Sequence, residues 1–291
     1  VAWKKIGIVG LGTMGQAIAE MLAKKQYTVF VQDATPELME QAIKAIDGQL
    51  EKQVSRWALT GAEKKTILTH IQCVSSLDDF AQCDMVIETI TEDAQAKHAL
   101  FARLGHVCPE HVVLATNTST LSVTECARVT MHAQRVIGTH FIFPVTTVEM
   151  VEIIRGLQTD QTTTDAVRAF VEQGLEMKAI PVYESPGFVT TRLICTLINE
   201  ALHVYTEGVA HPRDIDDAMR IGYGFRHGPL EMADRFGLDA VLAALEGMFR
   251  EYGDLKYRPA VLLRKMVRAH QLGVKTGQGF FRYDDDGDRI R

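Results

Sequence analysis

The first half of the chain alternates between two hydrophobic rhythms. Short, nearly unbroken apolar runs occur at 5–10 (Lys-Ile-Gly-Ile-Val-Gly), 28–32 (Thr-Val-Phe-Val-Gln), 71–74, 84–88 (Asp-Met-Val-Ile-Glu), 112–116 (Val-Val-Leu-Ala-Thr) and 135–139. Runs of this length without a polar face predict strands buried on both sides. Between the first two runs, Met14, Ile18, Met21 and Leu22 recur at helical spacing within Thr13–Lys25. Helical stretches separate most of the later runs as well. Strands alternating with helices predict an α/β domain built on a doubly wound, largely parallel sheet.

One long polar stretch, residues 36–70, interrupts this alternation. It is expected to form a helical hairpin projecting from the sheet. Thr60-Gly-Ala-Glu63 has the spacing of a capping box and should open its second helix. Beyond Ser185-Pro186-Gly187 the pattern becomes almost purely helical, with stretches at 188–210, 213–221, 229–252 and 258–271. Pro186 and Gly187 end the preceding strand. The expected division is therefore a Rossmann-type domain over 1–185 and an all-α domain over 186–291. The terminal Asp284–Asp288 run reads as a solvated tail.

Composition narrows the function classes. The chain has 291 residues, 46% hydrophobic and 23% charged, with net charge −6 and a pI near 5.9. Its basic residues are scattered, which argues against a nucleic-acid partner. The five cysteines, at 73, 83, 108, 126 and 195, include no CxxC pair. That argues against a disulfide framework and a structural zinc site and for a reducing compartment, and no metal is expected. No apolar run reaches the ~18–20 residues of a membrane span, and no leader pattern precedes the first strand. The expectation is a cytoplasmic protein without a membrane partner.

Gly10-Leu11-Gly12-Thr13-Met14-Gly15 matches the G-x-G-x-x-G pattern. The first glycine serves a tight turn, the second lets backbone approach a pyrophosphate, and the third lets the helix pack on the strand. A glycine turn alone fits many folds. Here it follows the first strand, opens a helix, and precedes Asp33 by 23 residues, near the ~20 expected for the acid that binds an adenosine ribose. Ala34, rather than an arginine, follows that acid. NAD is favoured over NADP.

Three groups sit after later strands, where open α/β sheets bind their ligands. They are Asn117-Thr118-Ser119, His140 and Glu152. A carboxylate beside a histidine fixes its tautomer and stabilises the imidazolium, which suits general acid–base work. With ten histidines in the chain, a purely structural His140 stays open on pattern alone.

Together these stretches resemble the L-3-hydroxyacyl-CoA dehydrogenases, including bacterial 3-hydroxybutyryl-CoA dehydrogenases, over essentially the whole chain. The resemblance rests on GLGTMG at 10–15, VIETITEDAQAK at 86–97, NTST at 117–120 and THFIFPVTTVEMVEIIRG at 139–156. It continues through PGFVTTRL at 186–193, NEALHVYTEGVA at 199–210, HGPLEMADRFGLD at 227–239, KYRPAVLLRKMV at 256–267 and KTGQGFF at 275–281. It implies oxidation of an L-3-hydroxyacyl thioester by NAD, with His140 as base, Glu152 as its partner and Ser119 on the substrate oxygen. Glu92, Lys97 and Asn117 match residues that line the cofactor. The resemblance further implies a homodimer through the helical domain and a hairpin that helps hold coenzyme A.

Three departures accompany it. The family's usual HFFNP reads His140-Phe-Ile-Phe143-Pro144, so Phe143 replaces an asparagine, and Thr191 replaces the asparagine before Arg192. Losing a positioned hydrogen bond to the reacting oxygen lowers rates by orders of magnitude, or the pocket is reshaped for another acyl group. In the hairpin, Trp57 and Ala58 replace a common Gly-Lys, leaving Lys52 and Arg56 as the nearest cations for the substrate. Trp57 would cap the hairpin core, stack on an adenine, or favour a thioester tethered to an acyl-carrier protein. Alternatives are therefore the same chemistry on a carrier-protein thioester or another hydroxy acid, and an NAD-binding homologue without turnover.

Overall fold

The structure is a computed structural model that describes residues 3–290. The chain divides between Glu184 and Ser185 into two compact units.

Unit 1 is built on eight strands: β1 (Lys5–Val9), β2 (Thr28–Gln32), β3 (Ile71–Cys73), β4 (Met85–Glu88), β5 (Val113–Thr116), β6 (Val136–Phe141), β7 (Met150–Arg155) and β8 (Lys178–Tyr183). Their order is β3-β2-β1-β4-β5-β6-β7-β8. The first six pair in parallel, β7 runs antiparallel to β6, and β8 is parallel to β7. Chain order reverses between β1 and β4, which makes that crevice the expected ligand position in a Rossmann-type sheet. Every residue of β4, β5 and β6 is buried, which is why these runs show no polar face in the sequence.

The strand β7 falls where sequence patterning marks none. Met150-Val-Glu-Ile-Ile-Arg155 carries a charged residue at its third position, and that acid disguises an otherwise apolar run. Helices α1 (Thr13–Lys24), α4 (Ala94–Val107), α5 (Val123–Arg128) and α6 (Gln161–Ala169) complete the alternation. The hairpin consists of α2 (Pro36–Ser55) and α3 (Gly61–Thr69), and Thr60 with Glu63 forms the capping box its sequence predicts. It does not project freely. Ala42, Ile46, Leu50 and Ile67 are buried within the same core as the sheet, and Gln53 Nε2 donates to Glu20 of α1 at 2.8 Å.

Unit 2 contains α7 (Thr190–Thr206), α8 (Pro212–Tyr223), α9 (Pro229–Phe236), α10 (Leu238–Tyr252) and α11 (Val261–Arg268). The apolar stretch 229–252, expected as one helix, is two. Gly237 adopts φ +93°, a region closed to most side chains, and breaks it between α9 and α10. Ile198, Leu202, Leu230, Leu245 and Leu263 form the core. Two buried acids tie the unit together. Asp216 accepts from Leu230 N and Glu231 N at 2.8 and 2.9 Å, capping the start of α9 from another helix. Asp234 accepts from Phe280 N, Phe281 N and the Tyr283 hydroxyl, each at 2.9 Å. Burial nevertheless pushes its carboxyl up to about 6. The Asp284–Asp288 run is a closed turn rather than a tail, with Asp284 N donating to Asp288 O at 3.0 Å and Tyr283 bridged to Arg289.

Candidate active site

The glycine turn opens at the reversal point of the sheet. Gly10 has φ +94°, and a β-carbon there would lie 2.7 Å from Ile90 N of the loop after β4. A β-carbon at Gly15 would lie 2.0 Å from Gly10 O, so only glycine lets α1 begin this close to β1. Gly12 is different, because a β-carbon there would meet nothing within 4 Å. No protein atom demands that glycine, which fits a loop whose open side receives a pyrophosphate. Thr13 and Met14 form the first turn of α1. Asp33, just past β2, accepts from Leu11 N and Ala34 N at 2.6 Å each. The acid expected at an adenosine ribose is thus fastened to the glycine turn itself. These residues fit a dinucleotide.

Beside this turn lies a buried ionic cluster that the sequence reveals only in part. Glu88 ends the apolar strand β4 and is fully buried, as is Lys97 on α4 at 1% exposure. Lys97 Nζ donates to Glu88 Oε1 at 2.6 Å and lies 3.3 Å from Glu92 Oε2. Thr116 Oγ1 donates to Glu88 Oε2 at 2.7 Å, and Ile90 N to Oε1 at 2.7 Å. Burial holds the Glu88 carboxyl above its ordinary range, with Lys97 opposing the shift. Glu92 ends up below its ordinary range. Burial would raise it, but Lys97 and the donors Thr118 and Ser119 outweigh that cost.

Glu92 in turn organises the Asn-Thr-Ser-Thr loop. Its Oε1 accepts from the Thr118 hydroxyl, from Ser119 N at 3.0 Å and from Thr120 N at 3.2 Å. Asn117 Oδ1 accepts from Phe141 N at 2.9 Å, so the loop is pinned to the strand that carries His140. Glu92, Lys97, Asn117 and Ser119 therefore belong to one hydrogen-bonded assembly. Lys97 is enclosed beneath this loop, paired with two carboxylates. Sequence patterning places Glu88 and Thr116 at strand ends without marking them as site residues. A lone acid closing the run Met-Val-Ile-Glu was the available signal.

His140 and Glu152 meet directly. They are register partners across the antiparallel pair β6–β7, and His140 Nδ1 donates to Glu152 Oε2 at 2.7 Å. Glu152 is fully buried and His140 is 7% exposed. A carboxylate can only accept, so its contact assigns the proton to Nδ1 and leaves Nε2 as the basic ring nitrogen. β5 and β6 are parallel neighbours with Thr116 opposite Gly138. Ser119 and His140 thus both follow that register at the carboxyl edge of the sheet.

The remaining candidates are peripheral. Lys52 and Arg56 lie at the exposed C-terminal end of α2. Trp57, 96% exposed between α2 and α3, does not cap the hairpin core. Phe143 lies in the β6–β7 loop and is 46% exposed. Thr191 lies in the first turn of α7, next to Arg192. That arginine donates to the Tyr257 hydroxyl at 2.7 Å and the Tyr252 hydroxyl at 3.0 Å.

Comparison with known proteins places this geometry. Residues 5–185 match the model of "3-hydroxyacyl-CoA dehydrogenase, NAD binding domain", and residues 187–283 match its C-terminal domain. A probable 3-hydroxybutyryl-CoA dehydrogenase of Bacillus subtilis is 41% identical over 282 residues, covering 97% of this chain and 98% of that protein. The 3-hydroxybutyryl-CoA dehydrogenase of Clostridioides difficile is 39% identical, covering 96% of this chain and 99% of that protein. The crystal structure of (S)-3-hydroxybutyryl-CoA dehydrogenase from Ralstonia eutropha superposes with a TM-score of 0.90 at 40% identity, covering 98% and 100% of the two chains. With both of its domain models matched in order over nearly the full length, the chain belongs to the 3-hydroxyacyl-CoA dehydrogenase family.

Proposed function

We propose that the protein interconverts an L-3-hydroxyacyl-CoA and the 3-oxoacyl-CoA, with NAD as redox partner. The observation that carries this reading is the buried His140–Glu152 pair at 2.7 Å, at the carboxyl edge of a dinucleotide-binding sheet. NAD, when bound, supplies the acceptor for a hydride from C3. His140 Nε2 takes the proton of the 3-hydroxyl as that hydride leaves, and the C3–O bond becomes a carbonyl. Glu152 holds the ring's orientation and stabilises its cationic form. Ser119 donates a hydrogen bond to the substrate oxygen, from a loop fixed by Glu92 and Asn117. The intact pair and loop argue against a homologue without turnover.

Assay of NADH oxidation against a series of 3-oxoacyl-CoA thioesters tests the proposal. Phe143, where the family carries asparagine, supports a second reading in which the same chemistry acts on a different acyl group. Carrier-protein thioesters belong in the same assay. The double reversion Phe143→Asn/Thr191→Asn should raise kcat/KM on short 3-oxoacyl-CoA substrates by roughly tenfold or more, the scale of one restored donor to the reacting oxygen. An unchanged kcat/KM would mean that the reaction does not use those amides. Lys52, Arg56 and the exposed ring of Trp57 are the groups we assign to the nucleotide end of coenzyme A.

Asp33 should hydrogen-bond the adenosine ribose and repel a 2′-phosphate. NAD should therefore bind at least about tenfold more tightly than NADP, since a like-charge contact costs on the order of 1 kcal/mol or more. Titration of both cofactors checks this, and equal affinity would remove Asp33 from the ribose. We also propose a homodimer formed through unit 2. Leu193, Ile221, Tyr223 and Val261 are 67%, 82%, 77% and 65% exposed there, large apolar groups that a second copy could cover. Light scattering at micromolar concentration should give twice the chain mass.

A further inference from the structure

Unit 2 contains a concave site that the proposed reaction does not use. A groove of about 450 Å³ is lined by His211, Arg213, Arg282 and Arg289, with Phe280 and Phe281 among its walls. His211 and Arg213 flank Pro212, the first residue of α8. Arg282 and Arg289 come from the two arms of the C-terminal turn, where Tyr283 is bridged to Arg289. No carboxylate lines this groove.

The arginines are not consumed by internal pairing. The Arg289 guanidinium stacks 3.4 Å from the Phe281 ring centre, which fixes its plane. Its nearest acid is Glu231 at 3.6 Å, and Glu231 already pairs with His227 at 2.8 Å and Arg235 at 2.9 Å. The side chains of His211, Arg213 and Arg282 have no ion-pair partner among the described residues. A chain of net charge −6 has thus gathered three arginines and a histidine in one concavity, with the shared Glu231 carboxylate behind Arg289 as the ion-pair partner among the described residues. Such a cluster attracts an anion. The planar fork of arginine matches phosphate oxygens in paired hydrogen bonds, and the aromatic walls reduce the solvent screening of those contacts.

We propose that this groove is a binding site for a small multivalent phosphate-type anion, separate from the glycine turn of unit 1. Arg213, Arg282 and Arg289 hold its oxygens, and Phe281 holds Arg289 in place. The proposal does not depend on the substrate assigned above.

The test is calorimetric titration of the full chain with inorganic pyrophosphate at low ionic strength. The protein is saturated with NADH, so that the glycine turn is filled. The expected result is one saturable site per chain that weakens as salt rises. Affinity should fall at least about tenfold in Arg213→Ser/Arg282→Ser, the scale of lost arginine–phosphate bonds. Both side chains are exposed, and an unchanged melting curve without pyrophosphate will confirm that the variant folds. The control Arg103→Ser/Arg268→Ser, which removes two exposed arginines elsewhere, should bind as wild type does. Absent or non-saturable binding, binding abolished by NADH, equal affinity in the groove variant, or equal loss in the control pair would each overturn the site.

Discussion

His140→Ala is expected to abolish hydride transfer while leaving NADH affinity within about twofold of wild type, since a general base contributes ~10²–10⁴-fold to rate rather than to cofactor binding. The reason is spatial. The dinucleotide is assigned to the turn at 10–15 and to Asp33, whereas His140 and its partner sit on β6 and β7. Glu152→Gln offers a sharper comparison. The amide oxygen can still accept from Nδ1, so orientation survives, but the negative charge that stabilises the imidazolium is gone. Turnover should fall roughly 10²-fold or more, with little change in NADH affinity or in the melting temperature. Stopped-flow NADH oxidation with fluorescence titration of NADH measures both quantities. Wild-type turnover in His140→Ala would refute the mechanism outright.

The second large effect concerns stability. Lys97→Met should destabilise unit 1 by about 3–5 kcal/mol, the usual cost of leaving a buried charge without its partner. Lys97 contacts two carboxylates, and Glu88 is fully buried, so its loss strands Glu88 in particular. Without the lysine, burial should lift the folded-state pKa of Glu88 further above its unfolded value. A raised carboxyl pKa favours the protonated native form, so the penalty is present at neutral pH and shrinks as pH falls. Pairing the change with Glu88→Leu should recover part of the loss even at neutral pH, because no buried charge remains. Denaturant melts of the two single variants and the double variant give the coupling directly. Additive losses would show that the two side chains do not interact as the 2.6 Å contact indicates.

Much of this protein is legible in its sequence because local rules and tertiary position agree. The parallel strands β1, β2, β4, β5 and β6 appear as apolar runs since both faces are covered, and GLGTMG announces its turn because Gly10 and Gly15 are sterically required. Where polar residues serve the interior, the pattern misleads. Glu152 interrupts β7 and hides a strand, although that interruption is the side chain that meets His140. Lys97 is recognisable by resemblance as a cofactor-lining residue, yet periodicity cannot show that it is enclosed between Glu88 and Glu92. Trp57 fails in the opposite sense. Its aromatic character suggests a core role, and only the loop's geometry puts it in solvent. Gly237 looks harmless within a long apolar stretch, because a sequence does not display the sign of φ.

The pairing of β6 with β7 separates two tasks within a single hairpin. Ladder hydrogen bonds set the distance between His140 and Glu152, while the loop joining the strands, residues 142–149, lies outside that ladder. Phe143 belongs to this loop. Substitutions there can reshape what the site admits while the register of the proton-transfer pair stays fixed. The sequence of the loop and the geometry of the pair can then change independently of one another.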